Sequence, residues 1–107
     1  MSYRDEFEGI VAADVEELMD AHICYGDSWK QRGGVGAFMM LARKWDRIER
    51  QLERDIGDLE KWDIFQQAEV DSRPEGILDD IQDLRRYLIL VEAEIIHRRV
   101  RKDKKEQ

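Results

Sequence analysis

Ile77, Ile81, Leu84, Leu88, Val91 and Ile95 recur at alternating four- and three-residue steps. At about 3.6 residues per turn this spacing draws a single apolar stripe down an α-helix. The segment also opens with helix-start chemistry. Ser72 can cap the free N–H groups of the first turn, Glu75 completes a capping box, and Pro74 supplies a helix-ready φ. Asp80, Asp83 and Tyr87 fall on a strip along one edge of the stripe. Carboxylates at the margin of a buried face cost desolvation free energy unless an Arg, a Lys or a divalent cation meets them.

The rest of the chain repeats the helical period. A helix is expected over Tyr3–Ile23, with Ser2 and Asp5 resembling a capping box and Phe7, Ile10, Val11, Leu18, Ala21 and His22 on one face. Asp14 sits on that same face, so a partner is expected for it. A second helix is expected over Val35–Asp55, with Gly57 as its stop and Phe38, Leu41, Ala42, Trp45, Ile48 and Leu52 as its stripe. Glu49 falls inside that stripe, with Asp46 and Glu53 flanking it. Leu59, Trp62, Phe65 and Ala68 suggest a short helix within 58–71. The third long helix runs through His97.

These 107 residues make one domain: an all-α bundle of three main helices over 1–97, completed by dimerisation, with a basic tail over 98–107. The tail carries +4 and the remainder −11, for a net charge of −7. An acidic body argues against a duplex-binding surface, and the tail reads as a solvated helix end complementing the helix dipole. No apolar run reaches membrane-spanning length and no signal-peptide pattern opens the chain, so a cytoplasmic protein without membrane contact is expected. Cys24 is the single cysteine, which leaves no disulfide framework.

Between the first two helices lies CYGDSWKQRGGVGAF. Tyr25, Trp29, Lys30 and Arg32 gather aromatic and cationic groups there, a composition suited to stacking a base and neutralising phosphates. It is no P-loop, because no strand precedes it and no Gly-Lys-Ser/Thr closes it. The carboxylates beside two helical stripes, Asp46, Glu49 and Glu53 on one and Asp80 and Asp83 on the other, are of a kind that can chelate Mg²⁺ between facing helices. Ion pairing with Arg43, Arg47, Arg85 and Arg86 is the alternative use of the same acids, and it needs no metal.

Tyr25–Trp29, the run Arg43–Ile48 and Asp80-x-x-Asp83-Leu-x-x-Tyr87 occur in this order across residues 20–95. Together they resemble the small, often phage-encoded nucleotide-modification-associated domains. The layout is also similar to the all-α nucleoside triphosphate pyrophosphohydrolases of the MazG and dimeric dUTPase type. That resemblance implies Mg²⁺ held by carboxylates, a bound nucleotide and hydrolysis of its triphosphate by water. Carried onto this chain, it makes Asp46, Glu49, Asp80 and Asp83 ligands or base, with Glu53 a further ligand. Lys30, Arg32, Arg43 and Lys44 would contact phosphates, and Tyr25, Trp29 or Tyr87 the base. Asp80-x-x-Asp83 matches the family's Glu-x-x-Asp motif with Asp for Glu. The Glu-Glu-x-x-Glu motif is not matched in the second helix, and its spacing is closest at Glu16-Glu17-x-x-Asp20 in the first. A non-catalytic interaction or oligomerisation protein, its acids paired with arginines between helices, is the rival expectation.

Overall fold

A computed structural model describes residues 3–56, 62–70 and 76–106, without the side chains of 54–56, 70 and 106. Among the described residues there are four α-helices and no strand: α1 (Tyr3–Tyr25), α2 (Gly33–Ile56), α3 (Ile64–Val70) and α4 (Ile77–Glu106). A 3₁₀ turn, Ser28–Lys30, lies between α1 and α2. The all-α architecture read from periodicity is the one found. Contacts divide the chain into two compact units, Met1–Ala37 and Phe38–Gln107, with the division falling inside α2. The expected caps at Ser2 and at Ser72–Glu75, the stop at Gly57 and the contribution of Leu59 lie outside the described residues.

In the first unit, Asp5 and Glu6 complement the dipole at the start of α1, and Arg4 pairs with Glu8 at 2.9 Å along one face. The helix runs to Tyr25, two residues past the expected end at Ile23, and stops at Gly26. Gly26 adopts φ 58°, open to glycine without penalty, and its N–H donates to the His22 carbonyl at 2.8 Å. Asp14 is buried, as its position on the stripe implies, whereas Phe7, Ile10 and Val11 on the same stripe are exposed. Gly36, in the first turn of α2, has a steric reason to lack a side chain: a Cβ there would lie 2.7 Å from Arg32 Cβ.

In the second unit, Ile48 and Leu52 of α2 pack with Ile77 of α4, and Trp62, Ile64, Ile81 and Leu84 close around them. Ile77 is 1% exposed, and burying such a side chain stabilises by roughly 1.5–3 kcal/mol. Asp63 caps α3, its Oδ1 accepting the N–H groups of Phe65 (3.0 Å) and Gln66 (3.2 Å). Phe65, read from sequence as part of an apolar face, is exposed instead, while Gln67 is buried.

α4 is longer than the expected helix. It continues through the basic segment to Glu106. Glu94 accepts from Arg98 at 2.9 Å and lies 3.6 Å from Arg101, and Lys104 and Lys105 complement the dipole in the last turn. No helix among the described residues is long and apolar enough to cross a membrane.

Candidate functional site

The polar strip of α4 faces a polar strip of α2. Lys44 Nζ donates to Asp83 Oδ2 at 3.3 Å and stands 5.6 Å from the centre of the Tyr87 ring. One turn nearer the start of α4, Gln51 Nε2 donates to Asp80 Oδ2. As the pairing moves up α2 from residue 44 to 51, it moves down α4 from 83 to 80, so the two helices run antiparallel. Lys44 and Gln51 are seven residues apart, two turns, and so share one strip of α2.

Burial differs along this junction. Asp80, Gln51 and Tyr87 are buried. The Lys44 side chain is 16% exposed, whereas that of Asp83 is 47% exposed and open to a ligand. Burial raises the Tyr87 hydroxyl above its ordinary value of 10.0, because the phenolate would be poorly solvated. Lys44 also lines a cleft of about 300 Å³ with Met40, Arg43, Asp46, Arg47 and Arg50. Four cations against one acid make that cleft positive, and it shares Lys44 with the Asp83 pair.

The acids of α2 do not join the Asp80–Asp83 strip. Asp46, Glu49 and Glu53 are exposed, and Glu49 Oε1 accepts from Trp45 Nε1 at 2.9 Å. The buried face of α2 matches the expected stripe in part, with Leu41 and Ala42 half-buried. Ile48, Gln51 and Leu52 are buried, whereas Phe38 and Trp45, expected in the stripe, are 67% and 52% exposed. Asp46 lines the cleft that Lys44 also lines, but no contact joins it to Asp80, Asp83 or Tyr87 among the described residues. The structure therefore brings together Lys44, Asp80, Asp83 and Tyr87, with Asp46 in the adjoining cleft and Glu49 and Glu53 apart. Among the described residues no three potential ligands form a metal-holding group. Asp80 and Asp83, one turn apart on one strip, still fit the usual protein share of a Mg²⁺ site, one or two carboxylates with substrate phosphates and water supplying the rest.

Gln51 was missed from sequence, although its seven-residue spacing from Lys44 was legible. Of the partners expected for Asp83, an Arg, a Lys or a divalent cation, the one that meets it in the structure is a lysine. The loop residues belong to the first unit. Tyr25 is 74% exposed, Trp29 and Lys30 are half-buried, and Lys30 Nζ lies 3.8 Å from Asp27. Arg32 is exposed.

Beside this junction, Trp45, Ile48, Leu52, Trp62, Ile81 and Leu84 line an apolar cavity of about 580 Å³, with Glu49 at its edge. The buried Trp62 Nε1 meets no acceptor among the described residues. No family model, no curated protein and no solved structure matches the chain.

Proposed function

We propose that this chain binds nucleoside triphosphates with Mg²⁺ and hydrolyses them to the monophosphate and pyrophosphate. The observation that carries this reading is the convergence at Lys44. Two sequence motifs 39 residues apart meet there, with Asp83 at 3.3 Å and the Tyr87 ring alongside. Asp80 and Asp83 would hold the cation, which would supply neutralisation of the triphosphate and polarisation of a phosphoryl oxygen. Lys44 would hold a phosphate oxygen once a cation engaged Asp83, and Arg43 and Arg47 would add positive charge along the adjoining cleft. A carboxylate of the pair accepts the proton of the attacking water.

The test is product analysis by ³¹P NMR with Mg²⁺ and each common nucleoside triphosphate in turn. Pyrophosphate and monophosphate should appear with at least one substrate and vanish in Asp83→Asn. Turnover in none of them, by protein whose helical spectrum is intact, would remove the hydrolytic reading.

One observation favours a second reading. Asp83 already has Lys44, and Asp80 already has Gln51, so both acids are satisfied without a metal. On that reading the junction is a polar clasp between α2 and α4, and the chain is a non-catalytic helical assembly protein.

A further inference from the structure

The apolar cavity beside the junction carries one charged group on its lining. Aliphatic side chains of α2, α3 and α4 and the indoles of Trp45 and Trp62 wall a space of about 580 Å³, with Glu49 at its edge. A space of several hundred Å³ with apolar walls and few polar groups is the usual form of a small-molecule site. What such a site admits depends on its charge.

Glu49 sets that charge. Its Oε1 accepts from Trp45 Nε1 at 2.9 Å, which ties the Trp45 indole to the rim. No Lys or Arg pairs with Glu49 among the described residues, although Glu8, Asp83 and Glu94 each meet one. The residues one turn away on α2 are Trp45, Asp46, Leu52 and Glu53, so no cation is close along the helix either. An anion entering the cavity would be repelled at this rim. A neutral apolar molecule would strip water from the carboxylate without compensation. A bare divalent ion would meet a single carboxylate among apolar walls, too few oxygens to replace its water.

The two indoles select the class that remains. The face of an aromatic ring attracts an ammonium group within about 6 Å of its centre, and tryptophan does so most strongly. Two indoles, one carboxylate and aliphatic walls suit a molecule with an apolar body and one positive charge. We infer that this cavity binds an organic ammonium ion, a primary amine or a quaternary ammonium, with its apolar body among the aliphatic side chains and its charge at Glu49. Neither Mg²⁺ nor Lys44 takes part, so Asp83→Asn should leave this site intact whatever becomes of the nucleotide reading.

NMR of the indole N–H groups tests it with three ligands of like shape. These are 2-phenylethylamine (a cation at neutral pH), 2-phenylethanol (neutral) and phenylacetate (an anion). Hexyltrimethylammonium serves as the quaternary probe. Both cations should shift the Trp45 and Trp62 signals saturably and leave that of Trp29, which belongs to the first unit, in place. The alcohol should bind about tenfold more weakly than the amine, the scale of a cation–π contact joined to a charge contact. Phenylacetate should not bind. Glu49→Gln keeps an oxygen for Trp45 Nε1 and removes the charge; it should weaken the amine about tenfold and leave the alcohol unchanged. Glu53→Gln, one turn on and exposed, should change the amine affinity by less than about twofold, because a solvated charge is screened. Equal affinity for amine and alcohol, or an amine affinity indifferent to Glu49→Gln, would overturn the inference. So would Trp45 and Trp62 signals that none of the four ligands moves. A neutral nucleoside that bound there more tightly than the amine would also overturn it, and would make the cavity a base pocket.

Discussion

α1 and α4 carry apolar stripes of similar length, yet they are used differently. In α4 the first half of the stripe is core: Ile77 is buried, and Ile81 and Leu84 pack with Ile48 and Leu52 of α2. In α1 the residue that is buried is Asp14, while Phe7, Val11, Val15 and Met19 are each more than half exposed. An amphipathic pattern establishes that a helix forms. It does not establish which part of its stripe finds a partner within the chain.

The sharpest way to break this contrast is to cut equally into both stripes. Ile77→Ala should lower unfolding free energy by about 3 kcal/mol, the usual cost of truncating a buried aliphatic side chain. Phe7→Ala should change it by no more than about 0.5 kcal/mol. Urea denaturation of the two variants checks both values, and equal losses would erase the distinction.

The polar half of the α2–α4 junction has its own expected loss. Gln51→Ala deprives the buried Asp80 carboxylate of a donor and should destabilise by about 1–2 kcal/mol. Truncating Glu8, whose pairing with Arg4 is fully on the surface of α1, should have an effect too small to detect by the same melts.

Much of the junction could be read before the structure. The strip Asp80, Asp83 and Tyr87 and its need for a cation followed from helical spacing, and Lys44 was among the residues singled out. The face of α2 could be read in part: Ile48 and Leu52 of the expected stripe are buried. Trp45 and Phe38 look like core by type, yet both are more than half exposed, Trp45 while lining the cavity that Ile81 and Leu84 of α4 also line. Lys44 and Gln51 could not be read as part of the packed face, because the partners that hold them, Asp83 and Asp80, lie 39 and 29 residues away. Asp46, Glu49 and Glu53 are exposed. Asp63 as the cap of α3 was legible as an N-cap residue type. The helical extension to Glu106 was not, since it rests on Glu94 gathering Arg98 and Arg101.

Tyr87 adds a pH dependence to the junction. Its folded pKa is raised above the unfolded value near 10, so the protonated phenol is favoured by folding. The stabilisation is therefore complete below about pH 10 and is lost as pH rises from there through the folded pKa. Tyr87→Phe should flatten that alkaline limb in melts taken between pH 8 and pH 11. An unchanged slope would mean that burial of the hydroxyl does not persist in solution.

The most direct test of the α2–α4 junction as a nucleotide site is a set of thermal melts of wild type and Asp83→Asn. Each is measured alone, with Mg²⁺, and with Mg²⁺ plus a non-hydrolysable nucleoside triphosphate analogue. A ligand at 100 times its Kd stabilises the folded state by about 2.7 kcal/mol, which in a domain of this size raises Tm by roughly 10 °C. Wild type should show a rise of that order with Mg²⁺ and analogue together, and Asp83→Asn should show none. A wild-type Tm indifferent to both ligands, with Asp83→Asn less stable under every condition, would contradict the nucleotide site and leave the Lys44–Asp83 pair as a clasp between helices.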